Sequence, residues 1–214
     1  MRITKTLFIS AVLLMSATGL QAAGFIQKGN YLTVQLKEHQ NYGPSQIRLQ
    51  VVNDQIIRVQ ATAEQSFRNK QSLIIVPQNS KANYKVEEQG DKLIITTAAM
   101  RAVLNEATGQ ITFYDLKDNV LLNEVAQGGK TFKPFTVPDR EIGVDIAKVP
   151  EAQKHGWSWR ALFDSPDNEA FYGLGQHQSE ELNMKGKNED LFQYNTKVSV
   201  PFVVSNKNYG ILWD

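Results

Sequence analysis

A period of two, repeated in short segments with turn residues between them, limits this chain more than any other feature. Leu32, Val34 and Leu36 alternate with Thr33, Gln35 and Lys37, and Ile47, Leu49 and Val51 alternate with Arg48 and Gln50. Successive side chains of a strand point to opposite faces, so each set predicts one buried and one wet face. Asn53-Asp54 turns the chain into Ile57 and Val59, and Gly90-Asp91 separates Tyr84–Glu87 from Leu93–Thr97, two hairpins by spacing. Met100, Ala102 and Leu104 pair by pattern with Ile111 and Phe113 across Thr108-Gly109, and Asp118-Asn119 leads into Val120-Leu121-Leu122. Short strands at this spacing, with almost no helical period, predict an all-β sandwich.

Three segments depart from simple alternation. Leu73-Ile74-Ile75-Val76 is a continuous apolar run ended by Pro77, the pattern of a strand covered on both faces. Between Val125 and Glu151, Gln127-Gly128-Gly129, Pro134, Pro138, Gly143 and Pro150 interrupt the alternation and predict the longest irregular connection, with Phe132 and Phe135 tucked against the sandwich. Trp157, Trp159, Ala161 and Phe163 then resume strict alternation. The burial habits of large aromatics assign the two Trp side chains to the core, and the alternative is a stacking platform for sugar rings.

The amino-terminal 23 residues are of another kind. Arg2 and Lys5 precede the apolar run Leu7–Met15, and small residues close on Gln21-Ala22-Ala23. A basic head, an apolar core too short to anchor in a bilayer and a small-residue end predict a secretory signal peptide over 1–23, cleaved after Ala22 or Ala23. The expected location is periplasmic or secreted, with no membrane association after cleavage. Without cysteine there is no lipid attachment site and no disulfide framework. Taking Arg2 and Lys5 from the 23 basic side chains leaves 21 against 22 acidic ones, a net charge of −1. That balance argues against nucleic acid as a partner, and a neutral surface is compatible with a glycan.

Residues 24–214 then read as one domain. Its most specific stretch begins at Phe171-Tyr172-Gly173-Leu174-Gly175-Gln176-His177-Gln178 and passes a polar loop through Asn183-Met184-Lys185-Gly186-Lys187. It continues as Val198-Ser199-Val200-Pro201-Phe202-Val203-Val204 and closes on Tyr209-Gly210-Ile211-Leu212-Trp213-Asp214. Each strand glycine marks a bend or a close backbone approach.

Other chemistry is excluded motif by motif. Gly173-Leu174-Gly175 lacks the third glycine and the helix of a dinucleotide fingerprint, and Lys185-Gly186-Lys187 lacks the remaining elements of a P-loop. His39, His155 and His177 have no second ligand at metal spacing, so neither metal nor cofactor is expected, and no nucleophile elbow occurs. Glu180-Glu181 and Glu189-Asp190 are ordinary solvated loop acids in pattern, not a facing catalytic pair.

In order and spacing, the stretch from Phe171 to Asp214 resembles glycoside hydrolase family 31, in the bacterial branch of α-xylosidases and related α-glucosidases. The resemblance implies a galactose-mutarotase-like β-sandwich leading a (β/α)8 barrel that carries the catalytic carboxylates. No part of this chain reads as that barrel, and Tyr209–Trp213 reads as a strand with no turn or partner after it, so the sandwich is expected to lack its last strands. By resemblance the whole enzyme hydrolyses α-xylosidic or α-glucosidic linkages of an oligosaccharide or polysaccharide with retention, while this piece alone is inactive. A loop of the leading domain leans over the barrel mouth in the family, which makes His177, Asn183 and Lys185 the candidates for substrate contact here. Many α-glucosidases have a longer insertion with a Trp-Asn-Thr-Asp run. Here the chain passes directly through Leu191-Phe192-Gln193-Tyr194, which favours the α-xylosidase-like branch. The rival readings are a stand-alone carbohydrate-binding module and a secreted interaction domain using an exposed sheet edge.

Overall fold

The computed structural model describes residues 24–38, 41–68, 71–76, 82–137, 145–178 and 181–214. The signal peptide over 1–23, and with it His39, Pro77, Pro138, Gly143 and Glu180, lies outside the described residues.

The first sheet has the order β1-β2-β3-β4, from β1 (Phe25–Lys28), β2 (Tyr31–Gln35), β3 (Gln46–Asn53) and β4 (Ile56–Thr62). The second has the order β5-β6-β7-β8-β9, from β5 (Tyr84–Gln89), β6 (Lys92–Thr97), β7 (Arg101–Asn105), β8 (Ile111–Tyr114) and β9 (Val120–Asn123). Both are antiparallel meanders, as hairpin-length turns require. Register places Leu32 opposite Leu49 and Val34 opposite Ile47 in the first sheet, and Leu93 opposite Leu104 and Leu104 opposite Ile111 in the second. Because the side-chain period is two, these pairings put the alternating apolar members of each strand on one face, while Ile94 and Val103 fall on the other. The two faces meet: Leu32, Val34, Ile47, Leu49 and Val51 are fully buried in one cluster with Leu93, Ile95, Leu104 and Ile111. Each such side chain contributes roughly 1.5–3 kcal/mol.

Two smaller sheets follow. The ribbon of β10 (Lys130–Thr136) and β11 (His155–Ala161) is joined through the short helix α1 (Glu151–Lys154). The order β12-β13-β14 comes from β12 (Phe171–Gln176), β13 (Val198–Ser205) and β14 (Tyr209–Leu212).

Three expectations are corrected. Leu73–Val76 is not a covered strand: Leu73 is fully exposed, and the Ser72 hydroxyl accepts the Ile74 and Ile75 amides at 3.1 and 2.9 Å. A local side-chain turn has taken the donors that a ladder would need. Second, the stretch from Val125 to Glu151 is not one irregular connection, because β10 runs through its middle. The Phe132 amide points away from β11 to the Tyr42 carbonyl, 2.6 Å away, so Pro134, two residues on, turns its missing N–H to that same outer side. Phe132 is half-buried, but Phe135 is exposed. Third, Trp157 and Trp159 do not fill the core; they are 42% and 53% exposed on the ribbon. Strict alternation identifies a strand but does not say whether a second layer covers its apolar face.

A buried ion pair ties the ribbon to the second sheet. Lys130 Nζ bonds the Glu124 carboxylate and the Gly109 carbonyl, the latter at 3.1 Å, and Glu124 also accepts the Ile111 amide at 2.9 Å. Burial pushes the Glu124 carboxyl up and the Lys130 ammonium down, and their mutual attraction opposes both shifts.

Candidate functional site

The recognisable stretch folds as the β12–β14 sheet and the loop between β12 and β13. Gly173 and Gly175 have φ of +112° and +105°, with Leu174 between them at +64°. A β-carbon at Gly173 would stand 2.7 Å from the Phe202 carbonyl oxygen, and one at Gly175 would stand 2.0 Å from that of Val198. Only glycine meets both demands, left-handed backbone and close approach. The ladder shifts register between these glycines, and this bulge bends β12 and aims the chain into the loop.

The loop is tied down at its base. His177 leaves the strand with its ring buried, Nε2 donating to the Leu174 carbonyl at 2.7 Å. Its Nδ1 lies 2.9 Å from Glu189 Oε1, within ion-pair distance but out of line for a hydrogen bond. Lys197 Nζ approaches the same carboxylate oxygen at 3.6 Å and donates to the Asp190 carbonyl at 3.0 Å. Asn183 Oδ1 accepts the Phe171 and Lys185 amides at 3.0 and 3.1 Å, and Lys185 Nζ bonds the Pro166 carbonyl. The three candidates from sequence thus share one loop: His177 and Asn183 hold it to β12, and Lys185 ties it to the turn before that strand. Sequence reasoning missed Glu189 as the partner of His177, since no spacing rule links the two.

Above this base the loop exposes Leu191, Phe192 and Tyr194, the last two 64% and 54% open with ring centroids 6.0 Å apart. Paired open rings suit the apolar face of a pyranose. Glu181 is in an ion pair with Lys187 at 2.7 Å, and Glu189 is committed to His177 and Lys197. Among the described residues no group of His, Asp or Glu gathers as a metal site would.

The sheet itself is built inside out. On β13 the inner positions are Ser199, Pro201, Val203 and Ser205, while Val198, Val200, Phe202 and Val204 face outward and are 47, 41, 40 and 39% exposed. Register adds Tyr172 beside Val204 and Leu212 beside Phe202, both also exposed. At one end of this inner side Glu169 accepts the Ser205 and Tyr209 hydroxyls at 2.5 and 2.6 Å, while the buried Ser199 hydroxyl at the other end has no hydrogen-bond partner among the described residues. Burial and that carboxylate hold the Tyr209 hydroxyl above the usual phenol range. At the sheet's end Asp214 bonds Arg58 of β4 and the Ser72 hydroxyl, which fastens β14 to the first sheet.

The family model of the glycosyl hydrolase 31 N-terminal galactose mutarotase-like domain matches residues 46–214. The chain belongs to glycoside hydrolase family 31. This family 31 domain is 27% identical over 177 residues to an uncharacterized family 31 glucosidase of Pseudescherichia vulneris and 25% identical over 182 residues to an alpha-xylosidase of Saccharolobus solfataricus. Those alignments cover 78% and 80% of this chain but 32% and 22% of the relatives, so the chain spans a third or less of their length. The GH31 alpha-xylosidase of Xanthomonas citri superposes with a TM-score of 0.74 at 36% identity, covering 88% of this chain and 18% of that one. A soil-metagenome GH31 alpha-xylosidase, solved with xylose, superposes at 0.65 with 27% identity, over 88% of this chain and 27% of its own. The fold is therefore the all-β galactose-mutarotase-like sandwich, and the portion present is the non-catalytic N-terminal domain of a glycosidase family.

Proposed function

We propose that this domain leads an exported family 31 hydrolase that cleaves α-xylosidic or α-glucosidic linkages, and that its outward apolar face docks on the catalytic barrel of the same polypeptide. The face of Val198, Val200, Phe202, Val204, Tyr172 and Leu212 carries the reading. An uncovered apolar surface of this extent marks an interaction site. The relatives' greater length supports a covering segment from the same chain. The substrate class is supported by the alpha-xylosidases among the relatives, together with the open rings of Phe192 and Tyr194 on a loop anchored by His177, Asn183 and Lys185. Carbohydrate binding by the loop and residence in the periplasm or outside the cell belong to the same proposal.

The test is hydrolysis of nitrophenyl α-xyloside and nitrophenyl α-glucoside by the full-length exported protein and by residues 24–214 alone. Turnover by the first and none by the second is the expected result. Turnover by residues 24–214 would overturn the division of labour, and a full-length protein inert on both substrates would overturn the substrate class.

A further inference from the structure

The amino-terminal end of the described chain meets an unsatisfied carboxylate. Gly24 precedes β1 at the edge of the first sheet, and its nitrogen donates to Glu88 Oε1 of β5 at 2.7 Å, across to the second sheet. Beside it lies Glu106, just past β7, only 2% exposed. A β-carbon on Gly24 would stand 2.3 Å from Glu106 Oε2 and 2.9 Å from Oε1, so the carboxylate lies against the α-carbon that bears the Gly24 nitrogen. Lys37 Nζ reaches Oε2 at 3.4 Å but is committed more closely to Asp91, 2.6 Å away. Glu106 Oε1 is sealed from solvent and has no hydrogen-bond partner among the described residues.

Asp91 and Glu106 thus share one lysine, and Glu88 has no ion pair among the described residues. A buried carboxylate oxygen without a donor is costly, and Lys37, the cation beside Glu106, lies against Oε2 and leaves Oε1 without one. Within a continuous chain the Gly24 nitrogen offers one N–H and no charge. As a chain terminus it offers an ammonium with three donors. We infer that the exported protein is cut between Ala23 and Gly24, and that the α-ammonium so created is the resident ligand of the Glu88–Glu106 socket, locking the two sheets at their edge. The cut is a hydrolysis: water adds across the Ala23–Gly24 amide under a leader-cleaving endopeptidase, leaving a carboxylate on Ala23 and the ammonium on Gly24. Glycine suits the position, because any β-carbon would enter the space of the Glu106 carboxylate.

This inference rests on the export reading, and its test separates the two. The full-length protein, expressed with its own leader, is taken from the exported fraction. Mass spectrometry of its amino-terminal peptide reads the first residue, and acylation by an amine-directed reagent near neutral pH reads the accessibility of that amine. A chain starting at Gly24 is expected, with acylation about tenfold faster in Glu106→Gln, since a nearby carboxylate holds an amine in its unreactive charged form. Glu88→Gln, altered at an exposed position, gives the same comparison should Glu106→Gln fail to fold. A start at Met1 would overturn this inference together with export. A start at Ala23 or at any other residue would overturn this inference and leave export standing. A Gly24 amine acylated equally fast in wild type and variants would overturn the socket.

Discussion

The outward face of β13 yields the sharpest prediction. Val200 and Val204 are 41% and 39% exposed and lie outside the core cluster, so Val200→Asp with Val204→Asp removes nothing that holds the sandwich together. Exposed substitutions of this kind change the stability of a domain by about 0.5 kcal/mol or less. Against a covering barrel the arithmetic differs. Six side chains left open to this degree make a patch of about 300 Å², and covering it contributes roughly 7 kcal/mol at about 25 cal/mol per Å². Two carboxylates trapped there without partners would cost several kcal/mol each, about as much as docking contributes, so the interface should open. The assay is thermal unfolding and kcat/KM of the full-length enzyme, wild type and double variant, with Val200→Ala/Val204→Ala as a milder control. The double Asp variant should melt lower, gain proteolytic cuts near Asp214 and lose more than about tenfold in kcat/KM, the equivalent of 1.36 kcal/mol. If it melts and turns over like wild type, that face is not buried against the barrel, and the docking argument fails.

Other consequences follow from the interior. Leu49→Ala, at a fully buried position facing Leu32 and Val59, should destabilise by about 2–5 kcal/mol in denaturant unfolding. Lys130→Met should cost about 3–5 kcal/mol by leaving Glu124 buried without its cation, and adding Glu124→Leu should recover much of that loss. Gly175→Ala must hold φ near +105° with its β-carbon 2.0 Å from the Val198 carbonyl, so it should lower the melting temperature and displace the loop carrying Phe192 and Tyr194, read by their fluorescence and by KM. Tyr209 holds its proton more tightly folded than unfolded, so its contribution is complete below the ordinary phenol pKa of about 10 and is lost as pH rises above that value. Stability measured from pH 9 to 12, in roughly the range where phenols titrate, should therefore fall less steeply in Tyr209→Phe than in wild type.

The period of two was sufficient to assign the central strands and their hairpins, because a strand with one buried face writes its burial directly into alternate positions. Leu32, Val34, Ile47, Leu49, Leu93, Ile95, Leu104 and Ile111 are core for the reason their spacing implies. The strand glycines were equally legible: Gly173 and Gly175 stand where no β-carbon fits. Leu73–Val76 was misread because composition cannot show that the Ser72 hydroxyl would capture the amides of that run. Pro134 hid a strand because which edge an N–H faces depends on the partner that lies beside it.

Sequence alone established the central strands, their turns and the family, since all three depend on the order of residues within short windows. Tertiary structure decided which apolar faces find a covering layer. Trp157 and Val200 share the pattern of buried residues yet lie open, while Glu106 and Glu169 have the chemistry of surface residues yet lie inside. Burial is set by the meeting of segments far apart along the chain, such as Glu169 with Tyr209 or Gly24 with Glu106, and no local window contains both partners.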